Sequence, residues 1–367
     1  MLAQILLLGV TMGAAYALIA VGYTMVYGII ELINFAHGEI YMYGAFMCLA
    51  LTIASTPYQA AGAALFAGAL AWVVAFDRVL ERSGSKPLAH GCGLAAALAL
   101  GLAVYGGCLA RIPFPVSFLL AVGLAAMLGV AIEIVAYRPL RDSPRLTALI
   151  TAIGVSLVLQ NLAQVIWSAE NHTFRKYDAH PSLFLRQNMP EGTSFWQTLT
   201  EGHYLQGGPL SMSLLQAFIL VTAFALMLGL HLLVTRTKLG MAMRACAQDQ
   251  VAARLMGIDV NRVISITFAI GSALGAVAGI LVGLYRDEIK PTMGYQAGVF
   301  AFSAAVLGGI GNIPGAMVGG LVLGVAQSLA IYWELSEWST GIAYLVMISV
   351  IILRPAGLMG AQLPRKS

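Results

Sequence analysis

The sequence predicts an all-α fold, a polytopic helical membrane protein with about 8 to 11 transmembrane helices. Composition is the first reason. Hydrophobic residues make up 59% of the 367 residues and charged residues 10%, against about 25% charged in a soluble domain. Such a chain cannot hide its apolar surface from water. The second reason is that the apolar residues gather into runs: Ile5 to Ile30, Ala148 to Trp167, Leu214 to Val234, Val263 to Leu284 and Ile342 to Leu353. Most are near the roughly 20 residues that carry a helix across a bilayer. The third is charge placement. Arg78, Arg82 and Lys86, then Arg138, Arg141 and Arg145, then Arg236, Lys238, Arg244, Arg254 and Arg262, and finally Arg354, Arg365 and Lys366 form four basic groups. Glu170, Asp178, Glu191, Glu201, Asp287, Glu288, Glu334 and Glu337 fall between them. The excess of Lys and Arg on cytoplasmic loops assigns the four groups to the inside.

Taken in order, the first run begins Met1-Leu2-Ala3-Gln4, without the basic residues of a signal peptide, and reads as a retained span. Parity puts Met1 outside and residues 31–38 inside. Residues 57–115 are rich in Ala, Gly and Leu around a polar hinge with Pro87 and Gly91. They read as one extra helical hairpin or as a single span with interfacial helices, and periodicity alone does not separate the two. The next crossing ends inside at Glu133, Tyr137, Arg138, Pro139 and Arg141, where the two arginines are expected to anchor at headgroups or to touch a cytoplasmic subunit. The run 148–167 leads out, 168–210 is external, 214–234 returns, 235–262 is cytoplasmic, and 263–284 leads out again. The stretch 297–353 must cross an odd number of times to bring Arg354 inside. Three crossings fit if the first is short and breaks near Gly308 to Gly315. The total is about eleven, one or two of them half-helices, within one transmembrane domain over 1–367.

Glycines add packing information. Gly271, Gly275, Gly279 and Gly283 recur every fourth residue, as do Gly311, Gly315 and Gly319, which predicts two small-residue stripes for close intramolecular helix approach. An inverted repeat is also visible in the topology. The run to Ile30 leads through Asn34-Phe35-Ala36-His37-Gly38 into a helix going out, and the run to Leu284 leads through Met293 to Gly298 into a helix coming in. Residue identity between the two is poor, but inverted pairs are a common way to build an alternating pathway.

Catalytic signatures are missing. There is no GxxxxGK[ST] phosphate loop, no HExxH, since His37-Gly38-Glu39 has the wrong spacing, and no GxSxG, so neither ATP hydrolysis nor serine or zinc chemistry is expected. Cys48, Cys92, Cys108 and Cys246 lack metal or disulfide spacing and read as small packing residues. Glu31, Asn34, His37 and Glu39 lie at a span boundary. They could line or gate a pathway; alternatively Asn34 caps the next helix while His37 and Glu39 pair or reach the interface. Glu31, Glu39 and Glu133 all read as lying near span ends, which counts against an ion-driven transporter. An intramembrane enzyme would have only His37 and Glu39 to use.

The most unusual stretch is the polar island TRTKLGMAMRACAQDQVAARLMGIDVNR, 235–262, with an Ala-rich middle and the stop Met256-Gly257. It reads as a short helix ended by glycine. Together with AYALIAVGYTMVYGIIELINFAHGEIYM (15–42), AYRPLRDSPRLTALITAIGVSLVLQN (136–161), GMAMRACAQDQVAARLMGIDVNRVISITFAIG (240–271) and AVLGGIGNIPGAMVGGLVLG (305–324), it resembles the permease subunits of bacterial high-affinity branched-chain amino acid ABC importers of the LivH type. The departure is 57–115, where the family has one hairpin fewer. The resemblance implies a type II-like importer permease in the inner membrane. Its partners would be a second homologous permease, two cytoplasmic ATPase subunits that bind the ATP, and an external or periplasmic substrate-binding protein. It implies no nucleic acid and no cofactor of its own. It also implies that Ala252, Ala253 and Gly257, with Arg244 and Arg254 in support, form the coupling helix that docks on the ATPase. The acidic residue of the general importer pattern is replaced by Val251. Lipid contact is the alternative role for the arginines.

Overall fold

The computed structural model describes residues 2–30, 32, 34–53, 56–141, 143–174, 204–207, 210–354 and 356–359. Glu31, most of the segment 168–210 and the terminal Arg365 and Lys366 lie outside the described residues. The chain forms α1 (Leu2–Ile30), α2 (His37–Thr52), α3 (Pro57–Ser83), α4 (Lys86–Ala110), α5 (Phe114–Ile132) and α6 (Arg145–Trp167). A short antiparallel hairpin of β1 (Tyr204–Gly207) and β2 (Leu210–Ser213) follows, with Tyr204 opposite Ser213; it was not expected from the residue pattern. Then come α7 (Leu214–Arg236), α8 (Lys238–Gln248), α9 (Gln250–Leu255), α10 (Val260–Arg286), α11 (Met293–Gly308), α12 (Ile313–Tyr332) and α13 (Ser339–Leu353).

Eight of the described helices are long and apolar enough to cross a membrane. Helices α2 and α11 have 16 residues each and α13 has 15. At about 1.5 Å per residue they reach about 24 Å, short of a hydrocarbon core of about 30 Å.

Residues 57–110 form a helical hairpin. Thr56 and Gln59 close a capping box at the start of α3, with Pro57 at its first position, and Gly84 ends the helix at φ 64°, a conformation that costs glycine little. The two arms then pack through small residues. A Cβ on Gly68 would stand 3.0 Å from the Ala97 carbonyl oxygen, and one on Gly101 3.2 Å from that of Ala64.

Contacts gather the chain into two compact units. One comprises 1–33, 181–263 and 296–367, the other 34–180 and 264–295. In the first, α1 and α12 meet backbone to backbone. A Cβ on Gly13 would lie 2.8 Å from Leu321 Cα, and one on Gly324 would collide with Gly13 Cα. In the second, α10 lies along α2. Gly275, Gly279 and Gly283 face His37, Tyr41 and Ala45 in turn, an i, i+4, i+8 row on each helix. A side chain on Gly279 would collide with the Tyr41 carbonyl oxygen, and one on Gly44 with Ala276 Cα at 2.6 Å. Gly271 is buried on the same helix.

The second stripe differs from expectation at one position. Gly311 precedes α12 in a turn at φ 89°, because Asn312 caps the helix with its side chain on the Gly315 amide and Pro314 occupies the first turn. Gly315 and Gly319 do pack, against the Gly308 and Ala304 carbonyls of α11. The face toward α1 is Gly320 and Gly324, which the every-fourth-residue count from Gly311 passed over.

The two pairs of helices expected to form the repeat match in length: a 29-residue α1 is followed by a 16-residue α2, and a 27-residue α10 by a 16-residue α11.

Replacing Gly279 with Ala puts a methyl group into the α2 backbone and is expected to lower the melting temperature of the detergent-purified protein by several degrees, as overpacking costs about 1–3 kcal/mol. Gly154→Ala on α6, with nothing within 4 Å of the new methyl, is expected to leave it unchanged or higher. Equal melting of both variants would remove the close approach as a structural requirement.

Candidate functional site

The island 235–262 folds as two short helices joined at Asp249. Thr237 caps α8 by accepting from the Gly240 amide at 3.1 Å. Gly240 is required there because a Cβ would overlap the Val234 and Leu233 carbonyl oxygens where the chain doubles back on α7. Asp249 ends α8 in an extended conformation and caps α9, its Oδ1 accepting from the amides of Val251 at 2.7 Å and Ala252 at 3.0 Å. Gly257 stops α9 at φ 80°. Its amide donates to the Arg254 carbonyl and that of Ile258 to the Ala253 carbonyl, both at 3.0 Å, the paired bonds of a Schellman stop.

This geometry sorts the residues singled out in the sequence. Ala252, Arg254 and Gly257 are exposed, whereas Ala253 is 4% exposed and faces inward. Arg244 donates from Nη1 to the Val234 carbonyl at 2.6 Å, covering the end of α7. Gln250 fastens the loop to α1 through a bond from Nε2 to the Ile29 carbonyl at 3.0 Å. Missed from sequence were Val251, Leu255 and Met256, which are 66%, 83% and 82% exposed. These apolar side chains stand open on a polar loop. An open groove lined by Arg254, Gly257, Ile258, Asp259, Val260 and Asn261 adjoins them. Cys246 is buried, and burial is the main cause that pushes its thiol above the usual range, with Arg254 opposing. Cys48 and Cys108 are buried too, Cys92 is exposed, and all four are free thiols.

A second polar centre closes α5. There the helix widens into a π turn over Glu133–Tyr137, followed by a 3-10 turn at Arg138–Leu140. Glu133 is fully buried. Its Oε2 accepts from Ser265 Oγ at 2.6 Å and from Arg138 Nη2 at 3.0 Å, and Arg141 Nη2 bonds its Oε1. Arg138 also reaches back to α3, donating from Nη1 to both Asp77 oxygens at 2.8 and 3.0 Å and to Glu81 at 3.2 Å. Headgroup anchoring is therefore not the role of Arg138 and Arg141. They neutralise a buried carboxylate, and the acidic end of the α3–α4 hairpin shares one of them.

The third centre is the break before α2. Asn34 does not cap α2: its Oδ1 accepts from the Tyr137 hydroxyl at 3.0 Å, and α2 starts at His37 with Ala36 at the N-cap position and no side-chain cap. His37 and Glu39 are both fully buried and do not reach an interface. Glu39 Oε1 accepts from Ser156 Oγ at 2.9 Å. Ser156 sits midway along α6, and Gly275, facing His37, lies near the middle of α10. Glu39 therefore lies deep between those spans, not at a span end, because α2 is a half-helix that starts inside. Here the first turn of α11 arrives as well. A Cβ on Gly294 would stand 2.8 Å from the Gly38 carbonyl oxygen and would overlap Glu39 Oε2. The first turns of α2 and α11 thus meet. Among the described residues no group of three or more His, Cys, Asp or Glu side chains could hold a metal ion.

Removing the Glu133 carboxylate leaves two partly buried guanidinium groups without their shared partner, a loss of about 3–5 kcal/mol for a broken buried pair. Glu133→Ala is therefore expected to lower the melting temperature far more than Asp77→Asn, which leaves Arg138 bonded to Glu133 and costs about 1 kcal/mol or less. The two melting curves check this; similar losses would contradict the central place given to Glu133.

Comparison with known proteins agrees with these features. No solved structure matches the chain significantly. The high-affinity branched-chain amino acid transport system permease protein LivH of Escherichia coli strain K12 is 38% identical over 352 residues, covering 96% of this chain and 93% of that one. BraD of Pseudomonas aeruginosa, described in the same words, is 39% identical over 358 residues, covering 97% and 95%. A ribose import permease protein, RbsC of Haemophilus influenzae, is 28% identical over 123 residues, 32% of this chain and 38% of its own length. Residues 5–351 match the family described as the permease component of the branched-chain amino acid transport system, and the chain, a multi-pass inner-membrane protein, belongs to that family.

Proposed function

We propose that this chain is the membrane-spanning subunit of an ATP-driven importer that translocates leucine, isoleucine and valine delivered by an external binding protein. ATP would be hydrolysed by two separate cytoplasmic subunits, and a second homologous permease would complete the pathway. The observation that carries the reading is the exposed apolar tip of α9 on a rigid, doubly capped loop, in a chain related over nearly its whole length to permeases of this transport class. Coupling needs a short helix that keeps its shape under load and a face that a second protein can hold. The Asp249 cap and the Gly257 stop support the first requirement, and Leu255, Met256 and Arg254 offer the second. Ala253 contributes differently, since a buried and small residue seats α9 close to the membrane domain. Arg244 and Gln250 tie the loop to the ends of α7 and α1, so a displacement of α9 would be passed to spans directly.

The test is reconstitution of the complete complex in liposomes. Gly257→Pro removes an amide donor and demands a φ near −65°, far from 80°, and Arg254→Glu reverses the charge beside the apolar tip. Both are expected to insert normally and to lower leucine uptake and substrate-stimulated ATPase activity at least tenfold. Wild-type stimulation in both variants would refute the assignment of the loop. Accumulation of leucine by the chain alone, with no ATPase present, would refute the importer reading.

A further inference from the structure

The depth of Glu39 is unexplained by packing alone. A carboxylate in the interior of a membrane protein is costly unless paired. Glu133 follows that rule, with two arginines and a serine. Glu39 does not. It is fully buried, no ion pair reaches it among the described residues, and only Oε1 has a hydrogen bond, from neutral Ser156. Oε2 has no donor. The carboxylate lies in the first turn of α2 and against Gly294 in the first turn of α11. Two helix N-termini offer partial positive charge to it, which tempers the cost of burial but leaves an acceptor unused.

Five positions earlier, the complementary group is also unused. Asn34 is 2% exposed, and its Oδ1 is held by the Tyr137 hydroxyl. Among the described residues its Nδ2 has no acceptor. A buried carboxylate oxygen and a buried amide nitrogen, each with unfilled capacity, thus stand five positions apart in the chain at the start of α2. The desolvation of such groups is offset when a ligand supplies the missing partners.

We propose that Glu39 and Asn34 form a transient binding site for a free amino-acid zwitterion. Glu39 Oε2 accepts from the α-ammonium group, and Asn34 Nδ2 donates to the α-carboxylate. Gly294 and Gly275 bring the α11 and α10 backbones against Glu39 and His37, and Tyr137 is a positioning residue that orients Asn34. The side chain of the cargo makes no part of this recognition, so discrimination among amino acids belongs elsewhere. The inference rests on the importer reading above, since it names where the cargo would pause on its way through.

Equilibrium binding to the assembled transporter in nanodiscs, without the external binding protein, tests it with three probes: leucine, 4-methylpentanoate, which lacks the ammonium group, and 3-methylbutylamine, which lacks the carboxylate. Glu39→Gln is expected to weaken leucine and 3-methylbutylamine at least tenfold and to leave 4-methylpentanoate unchanged. Asn34→Ala is expected to weaken leucine and 4-methylpentanoate and to spare the amine. Glu39→Asp keeps the charge and should bind leucine better than Glu39→Gln, which separates recognition from folding. Loss of all three probes together in Glu39→Gln, or of none, overturns the site. So does a wild-type complex that shows ATP-dependent uptake yet binds no leucine, or a Glu39→Gln variant whose only change is in sodium binding. A wild-type complex that neither binds nor takes up leucine with ATP defeats the importer reading instead.

Discussion

The contact on which the candidate site depends is the backbone approach of α10 to α2. Because Gly275, Gly279 and Gly283 present no side chains, α2 can lie against the middle of a full-length span although it is itself too short to cross. A half-helix has no interfacial anchor at its inner end, so its depth is set wholly by what it packs against. Gly279 on the Tyr41 carbonyl and Gly44 on Ala276 fix that depth, and with it the level of His37 and Glu39. The same principle operates in the other unit, where Gly9 and Gly13 of α1 meet α12. Small residues here are therefore the means by which polar groups are carried to a chosen level in the membrane.

Two carboxylates then illustrate two outcomes of burial. Glu133 is surrounded by donors and reads as structural, a joint between α5, the α3–α4 hairpin and the start of α10. Glu39 is held by one serine and by helix ends. In a medium without water the first arrangement is rigid because removing any partner exposes the rest. The second tolerates an added partner, and that difference separates a strut from a receptor.

What the sequence made legible follows from which signals are local. Charge bias and run length needed only neighbouring residues, so the spans and the polar island came through. Caps were also readable in part: Gly257 stops α9 as its position suggested. Long-range pairings were not. Arg138 looked like a headgroup anchor because its partner Asp77 lies 61 positions away. Glu39 looked superficial because the shortness of α2 says nothing about which end is sunk. The Gly320 and Gly324 face was hidden because it is defined by Gly13 and Ala17 of α1, and a count along one helix cannot see a second. Leu255 and Met256 were overlooked since apolar residues beside a glycine stop usually turn inward, whereas here Ala253 takes the inner face.

The π turn at Glu133–Tyr137 has a geometric consequence for the chain beyond it. A π turn accommodates one residue more than an α-helical turn, so it shifts the phase of everything that follows by about 100°. The two halves of the buried network, Glu133 before the shift and Arg138 and Arg141 after it, converge only at that phase. Loss of one residue within the turn would give a more regular helix and turn Arg138 away from α3. At this position regularity and connectivity are opposed, and the chain keeps the irregular form.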